Sequence, residues 1–171
     1  MFYFAYGSNL YSRRLLARTP NARLAGTARL EAHSLRFHKR GDDGSGKCDA
    51  FFTGHGSDVI HGVLYHFDPR ERAILDAVEG DGYQPTAITA HQGSQAISAF
   101  TYIVRSEMID AAMVPFTWYR NFVLAGALEH RLPQAYVQSL RQVPHVADPD
   151  GERHDRNHSI LDQGMMNLLD G

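Results

Sequence analysis

The sequence predicts a single α/β domain, in which a small mixed β-sheet curls into a barrel and helices flank it. Three observations support this fold class. Six or so segments have the apolar patterns of strands. Several neighbouring strands are separated only by short glycine-containing turns, which is typical of hairpins. Helical segments lie between and after the strands but do not follow nearly every strand, which disfavours a doubly wound parallel sheet.

The composition fits one globular domain. The chain has 171 residues, of which 43% are hydrophobic and 21% are charged, with a net charge of −2. No basic stripe or tail stands out, so nucleic acid is not the expected partner. A single cysteine, Cys48, rules out an internal disulfide, and we interpret it as a structural residue. The sequence has no pattern of a signal peptide or a membrane span, so we expect a cytoplasmic protein without a membrane partner.

The first half of the chain alternates strands with two helices. We predict a strand over residues 1–5, a helix over 10–18, and an extended segment over 23–38 with a bulge at Gly26. Strands follow over residues 48–53 and 59–67, joined by a turn. Asp68 as N-cap, Pro69 at the first helical position and Glu71 at the third predict a helix that reaches Val78. The apolar face of that helix is predicted from three residues: Ile74, Leu75 and Val78.

The second half is predicted to contain one strand pair and then helices. The strands cover residues 86–91 and 96–104, and the helices cover 115–128 and 133–142. We place the main domain at residues 1–145. Residues 146–171 form a tail. The polar stretch 145–158, which begins at the boundary, is predicted to be irregular. The short amphipathic segment 160–169 is predicted to dock on the body or on a second subunit, which makes a homodimer possible.

The segment from Phe4 to Leu10 is the most informative for chemistry. An apolar strand reaches the turn Tyr6-Gly7-Ser8-Asn9 and passes directly into a helical segment. This order brings several backbone N–H groups to one point at the positive end of a helix. Such a corner suits an anion or a developing oxyanion.

Glu79 is the second candidate, at the C-terminal end of the predicted helix. The negative end of the helix dipole and partial burial would both favour its neutral form. A glutamate with a raised pKa can accept and return a proton near neutral pH. The sequence pattern alone favours the simpler interpretation, a charged residue that closes a helix and faces water.

The order of these motifs resembles that of the γ-glutamylcyclotransferase-like family, over roughly residues 1–145. The resemblance is carried by five pieces that follow the family's order: Tyr6–Leu10, Asp58–Tyr65, Leu75–Gly80, Ala99–Tyr102, and Tyr119 with Gly126–Pro133 and Tyr136. It implies a small α/β fold with a barrel-like mixed sheet.

The resemblance also implies an activity and a set of site residues. Such enzymes cyclise the γ-glutamyl group of a small molecule, releasing 5-oxoproline and a free amine or amino acid. Glu79 would be the general acid and base, and the corner Tyr6–Leu10 would bind substrate. By the same resemblance Tyr83, Tyr102 and Tyr119 line the pocket. No cofactor or metal is needed, because the nucleophile is the substrate's own amine.

Several alternatives stay open. Ser8 could be the nucleophile of a hydrolase, although the G-x-S-x-G pattern is absent. A member of the same fold could bind a γ-glutamyl ligand without catalysis. His154, Asp155, His158 and Asp162 could hold a metal, but we favour a solvated polar tail. We also interpret Arg13, Arg14 and Arg18 as a solvated helix face. The leaving group could be an amino acid, a polyamine, a lysine side chain or an antibiotic amine.

Overall fold

Seven strands form two sheets in the computed structural model, which describes residues 1–169. The strands are β1 Phe2–Ala5, β2 Arg23–Glu31, β3 His33–Arg40, β4 Gly46–Phe52, β5 Val59–His66, β6 Tyr83–Gln92 and β7 Gln95–Val104. Five of them close a barrel in the order β1-β5-β2-β6-β7, while β3 and β4 form a separate pair. Strand β1 runs antiparallel to β5 and parallel to β7, so the sheet is mixed. The predicted mixed, barrel-like sheet is confirmed.

Helices flank the barrel. They are α1 Ser12–Leu16, α2 Arg72–Glu79, α3 Thr117–Glu129, α4 Gln134–Arg141, α5 Gly151–His158 and α6 Gln163–Leu169, with 3₁₀ turns at Ser8–Leu10, Pro69–Glu71 and Ser106–Met108. The core fills the barrel and the space between the barrel and α3. Its fully buried side chains include Phe4 on β1, Leu64 on β5, and Phe122 and Leu124 on α3.

The residues predicted to begin and to end helix α2 do so in the structure. The Asp68 carboxylate accepts a hydrogen bond of 2.9 Å from the Arg70 N–H, and Pro69 opens the 3₁₀ turn that leads into the helix. The helix ends at Glu79 because Gly80 has a φ of +69°, which glycine adopts without strain. The predicted apolar face is narrower than expected. Leu75 is fully buried, whereas Ile74 and Val78 are 49% and 44% exposed.

The predicted extended segment over residues 23–38 consists of two strands rather than one. Ala32 has a φ of +59°, and this turn separates β2 from β3. Strand β3 then leaves the barrel and pairs with β4. Residues 48–53 and 59–67 do contain strands around the predicted turn, but those strands belong to different sheets. The bulge predicted at Gly26 is present as a register shift between Leu24 and Gly26.

The predicted helix over residues 10–18 is shorter and divided. A 3₁₀ turn over Ser8–Leu10 is followed by Tyr11 in an extended conformation, with ψ at 112°, before α1 begins at Ser12. Because the helical hydrogen-bond ladder is interrupted at Tyr11, the corner after β1 ends in a tight turn rather than in the first turn of a long helix.

The predicted irregular tail over residues 145–158 is also wrong, because α5 occupies its second half. The Asp150 side chain caps α5 by accepting a hydrogen bond of 2.9 Å from the Arg153 N–H. The buried Asp148 carboxylate accepts hydrogen bonds from Trp118 Nε1 and Arg153 Nε, both at 2.8 Å. These contacts attach the tail to α3.

The last segment docks on the body. Leu161 and Met165 are buried, and Arg141 on α4 donates hydrogen bonds to the carbonyl groups of Leu168 and Leu169 at 2.8 and 2.9 Å. The last two residues of the predicted tail lie outside the described residues. The division between residues 1–145 and 146–171 stays a prediction.

Candidate active site

The corner after β1 presents free backbone donors. The Leu10 N–H donates to the Gly7 carbonyl at 2.9 Å, which closes the turn. Among residues 1–169, no acceptor takes a hydrogen bond from the N–H groups of Gly7, Ser8 or Asn9. Helix α3 packs directly behind the corner, because a Cβ on Gly126 would lie 2.4 Å from the Leu10 carbonyl carbon. The turn is therefore held against a helix without losing these donors.

The corner and the end of α2 face the same narrow cavity. Its volume is about 20 Å³, and it is lined by Tyr3, Tyr6, Gly7, Ser8, Asn9, Cys48, Glu79, Tyr83, Tyr102 and Tyr119. Eight of the nine residues proposed from the sequence thus lie around one space. Leu10 does not line it. Its side chain is fully buried in the core, and its carbonyl group lies 3.1 Å from His130 Nε2.

Glu79 is the carboxylate of this cavity. Its side chain is 17% exposed, and Oε1 accepts a hydrogen bond of 2.8 Å from Asn9 Nδ2. Burial raises the pKa of Glu79, while the positive charge of Arg18, the Asn9 hydrogen bond and the charges of Arg14 and Lys39 oppose that rise. The net direction is upward, as predicted from the sequence for a partly buried carboxylate.

Asn9 connects the backbone corner to the carboxylate. Its Nδ2 donates to Glu79 and, at 3.2 Å, to the Tyr3 hydroxyl oxygen, while its Oδ1 accepts from Arg18 Nη1 at 2.8 Å. A carboxylate can only accept and a guanidinium can only donate, so these partners fix the orientation of the Asn9 amide. The buried Asn9 side chain therefore fixes the position of Glu79 relative to the backbone corner.

Hydrogen bonds of three tyrosine hydroxyl groups connect the segments that line the cavity. The Tyr83 hydroxyl donates to the Cys48 carbonyl at 2.7 Å, and the Cys48 N–H donates to the Tyr119 hydroxyl oxygen at 3.1 Å. The Tyr102 hydroxyl donates to Asp76 at 2.5 Å. Burial raises the pKa of Tyr83 and Tyr119 well above the ordinary value, so both stay protonated at neutral pH.

Cys48 lines the cavity and is 2% exposed. Burial raises the pKa of its thiol, so the reactive thiolate is disfavoured at neutral pH. This environment fits the structural role that we favoured from the sequence.

A second, wider groove of about 230 Å³ opens from the cavity and shares with it Ser8, Glu79, Tyr83 and Tyr119. Its cationic walls are Arg14, Arg18, Lys39 and Lys47.

The interpretation of Arg14 and Arg18 as a solvated helix face is therefore wrong. Residues four apart lie on one side of a helical segment, and that side turns toward the groove. Arg18 Nη1 lies 3.7 Å from Glu79 Oε1, and Arg14 stacks on Phe122 with 4.4 Å between the guanidinium carbon and the ring centre. Arg13 is exposed as expected.

Two negative observations apply to the part of the chain that the structure describes. No group of three or more histidine, cysteine, aspartate or glutamate residues is placed to hold a metal ion. His154 and His158, which we considered as metal ligands, instead stack their rings on α5 with the centres 5.3 Å apart. No helix within residues 1–169 has the length and apolar content required to cross a membrane.

Comparisons with known proteins point to one family. The model of the AIG2-like family matches residues 59–140. A Bos taurus protein named gamma-glutamylcyclotransferase is 29% identical over 149 residues, covering 82% of this chain and 77% of the relative. A Mus musculus protein of the same name is 27% identical over 175 residues, covering 97% and 90%. The chain is therefore similar to the γ-glutamylcyclotransferase-like family over most of its length.

The family's fold matches that of this chain. A solved structure named gamma-glutamyl cyclotransferase superposes with a TM-score of 0.79 at 22% identity, covering 99% of this chain and 97% of that chain. The matched family segment contains Glu79, Tyr83, Tyr102 and Tyr119, whereas the corner at Tyr6–Asn9 precedes it.

Sequence reasoning missed Tyr3 and Cys48 at the cavity, and it missed the basic residues of the groove, which are Arg14, Arg18, Lys39 and Lys47. The spacing of Arg14 and Arg18, directly after the corner, was a usable signal for a shared face. Tyr3 and Cys48 gave no such signal. Their positions depend on which strands of the barrel and of the second sheet become neighbours.

Proposed function

We infer that this chain catalyses the intramolecular cyclisation of a γ-glutamyl group, releasing 5-oxoproline and a free amine or amino acid. The α-amine nitrogen attacks the γ-carbonyl carbon and forms the lactam C–N bond. The tetrahedral intermediate then expels the leaving nitrogen, which takes up a proton. Two relatives that carry the name gamma-glutamylcyclotransferase support this reaction class.

One observation carries the proposal: a largely buried carboxylate and unpartnered backbone N–H groups line the same cavity. Glu79 is joined to the corner by the 2.8 Å hydrogen bond from Asn9, and the corner itself contributes Gly7 and Ser8 to the lining. Reactions of this class need a proton carrier and an oxyanion site that both reach one carbonyl group.

Glu79 has the properties of the proton carrier. An α-amine has a reference pKa of about 8, so most of it is protonated at neutral pH and must lose a proton before attack. Glu79 would accept a proton from the α-amine and deliver it to the leaving nitrogen. The carboxylate is largely buried and its pKa is raised. The pKa of Glu79 is therefore closer to that of the α-amine than the pKa of an exposed glutamate would be, which makes both proton transfers easier.

The backbone corner has the properties of the anion site. The N–H groups of Gly7, Ser8 and Asn9 would bind the developing oxyanion or the α-carboxylate of the glutamyl unit. Ring closure is intramolecular, so holding the substrate folded would supply much of the acceleration.

The alternative hydrolase mechanism, with Ser8 as nucleophile, has less support. Ser8 lines the cavity, but within the described part of the chain no histidine lines it and could activate the hydroxyl. The alternative of a non-catalytic binding protein is disfavoured by the placement of Glu79, whose raised pKa has no evident use in binding alone.

The deciding experiment measures 5-oxoproline by mass spectrometry with a panel of γ-glutamyl compounds. The panel should contain γ-glutamyl amino acids, γ-glutamyl alkylamides and a γ-glutamyl polyamine. We expect stoichiometric 5-oxoproline and free amine from at least one of them. Release of glutamate in place of 5-oxoproline would identify a hydrolase, and binding without turnover would identify the non-catalytic alternative.

Arg18 should set the pH range of this activity. The Arg18 charge lowers the pKa of Glu79 against the effect of burial, so Arg18→Met should raise that pKa further. A general base works only when deprotonated, and the acid limb of the pH profile of kcat/KM should therefore move to higher pH. Arg13→Met removes the same charge from the exposed side of α1 and should leave the limb in place. An unmoved limb in Arg18→Met would show that Glu79 does not titrate in the rate.

A further inference from the structure

A buried histidine contacts the end of the backbone corner without lining the reaction cavity. His130 directly follows α3, and its side chain is 7% exposed. Its Nε2 lies 3.1 Å from the Leu10 carbonyl oxygen, 3.2 Å from Ser12 Oγ and 3.5 Å from the Tyr65 hydroxyl oxygen. The proposed chemistry does not use this imidazole, so its place beside the corner calls for another role.

The partners of His130 identify the ring nitrogen that carries the hydrogen. A carbonyl oxygen only accepts, so the 3.1 Å contact with Leu10 requires an N–H at Nε2. Burial lowers the pKa of His130, although the charge of Glu129 and the hydrogen bond to Leu10 oppose that effect, so the ring is neutral at neutral pH. The neutral imidazole is therefore a donor to Leu10 with its hydrogen on Nε2.

The Leu10 carbonyl group depends on this donor. The Arg14 N–H would reach it in a continuous helix, but that N–H donates to the Tyr11 carbonyl at 3.0 Å. Within residues 1–169, no backbone N–H donates to the Leu10 carbonyl. A peptide group is planar, so the hydrogen bond from His130 orients the whole peptide unit that ends the 3₁₀ turn.

Helix α3 holds both sides of this peptide unit. Gly126, Glu129 and His130 lie on one side of the end of the helix, at positions three and four apart. A Cβ on Gly126 would lie 2.4 Å from the Leu10 carbonyl carbon, and Glu129 Oε2 accepts a hydrogen bond of 2.9 Å from the Ser12 N–H. The hydrogen bond from His130 thus completes a set of contacts that fixes the corner to α3.

We propose that His130 is a positioning residue for the oxyanion site. Its Nε2–H holds the carbonyl group of Leu10, whose own N–H closes the corner by donating to the Gly7 carbonyl at 2.9 Å. Movement of Leu10 would therefore displace the free N–H groups of the corner, and misplaced donors stabilise a developing charge less well. This inference rests on the proposed function.

Three substitutions separate the hydrogen bond from the size of the side chain. In His130→Gln the amide nitrogen reaches about as far as the imidazole Nε2 and can donate to Leu10, whereas in His130→Asn it is too short. His130→Phe keeps a ring without a donor. His55→Phe is the matched control, because His55 is exposed. The kcat and KM for 5-oxoproline release are measured with the best substrate of the panel, alongside thermal unfolding.

We expect the kcat of His130→Asn and His130→Phe to fall about tenfold to 10²-fold, with a smaller change in KM. His130→Gln should keep most of the kcat, and His55→Phe should keep all of it. His130→Phe should cost much less in a Gly7→Ala background, because both changes act through the same donors. Full kcat in a folded His130→Asn or His130→Phe enzyme, equal losses in His130→Asn and His130→Gln, or full additivity with Gly7→Ala would overturn the assignment.

NMR spectra of the backbone amides test the positioning without turnover. The signals of Gly7 and Ser8 should move in His130→Asn and stay near their wild-type positions in His130→Gln. Unmoved signals in His130→Asn would show that the corner does not depend on this histidine. If no compound of the panel yields 5-oxoproline, the proposed function fails, and the same spectra still decide whether His130 positions the corner.

Discussion

Glu79→Gln is expected to lose about 10²- to 10⁴-fold in kcat, the range that general acid–base catalysis contributes. The substitution keeps the shape of the side chain and an oxygen that can accept the 2.8 Å hydrogen bond from Asn9. It removes the negative charge beside Arg18 and, with it, the proton transfer that the proposed function assigns to Glu79. Substrate binding should change much less than turnover.

The stability of this variant should follow from the direction of the Glu79 pKa. Because the folded-state pKa is raised, the contribution of Glu79 to stability is present at low pH and is lost as the pH rises through that pKa. At neutral pH the charged, buried carboxylate is a cost that glutamine does not carry. Glu79→Gln should therefore unfold at the same or a higher temperature than the wild type.

The measurement is 5-oxoproline release under saturating substrate, alongside thermal unfolding. Glu152→Gln is the matched control, since it makes the same chemical change on an exposed side chain of α5. Undiminished turnover in Glu79→Gln would refute the role of this residue. A loss of turnover accompanied by a lower unfolding temperature would instead indicate a structural role.

The parts of the fold that could be predicted from the sequence are those encoded locally. Asp68 and Pro69 mark the start of the segment that leads into α2, and Gly80 marks the end of α2, because capping and positive φ are properties of a few adjacent residues. The position of Glu79 at a helix terminus follows from these signals. The Tyr6–Asn9 corner was predicted in the same way, from an apolar strand followed by Gly7.

The parts that could not be predicted depend on contacts between distant residues. The helix α5 follows a buried Asp148 that pairs with Trp118 and Arg153, so a segment that is polar in sequence becomes ordered against α3. The break at Ala32 is similar, because no glycine or asparagine marks its positive φ. Arg18 was interpreted as solvated because its partners, Asn9 and Glu79, meet it only in the folded chain.

Gly7→Ala should lower kcat/KM by about 10²- to 10³-fold, the effect of losing one oxyanion donor. The reason is space and not backbone conformation, because Gly7 has a φ of −98°, outside the left-handed region. An added Cβ would lie 3.1 Å from Cys48 Cβ and 3.7 Å from the Tyr119 hydroxyl oxygen. It would occupy part of a cavity of about 20 Å³ and would keep the substrate away from the N–H groups of the corner.

The contact between the added Cβ and Cys48 is close enough to affect the site but not the whole fold. At 3.1 Å, the added methyl group requires Cys48 to shift by a few tenths of an ångström, so the fold should survive with only a small change in unfolding temperature. Gly56→Ala is the matched control, since a Cβ there meets no atom within 4 Å. The loss in Gly7→Ala should appear in kcat as well as in KM, because the oxyanion forms only as the reaction proceeds. A folded Gly7→Ala enzyme with full kcat would show that the N–H groups of this corner do not carry the developing charge.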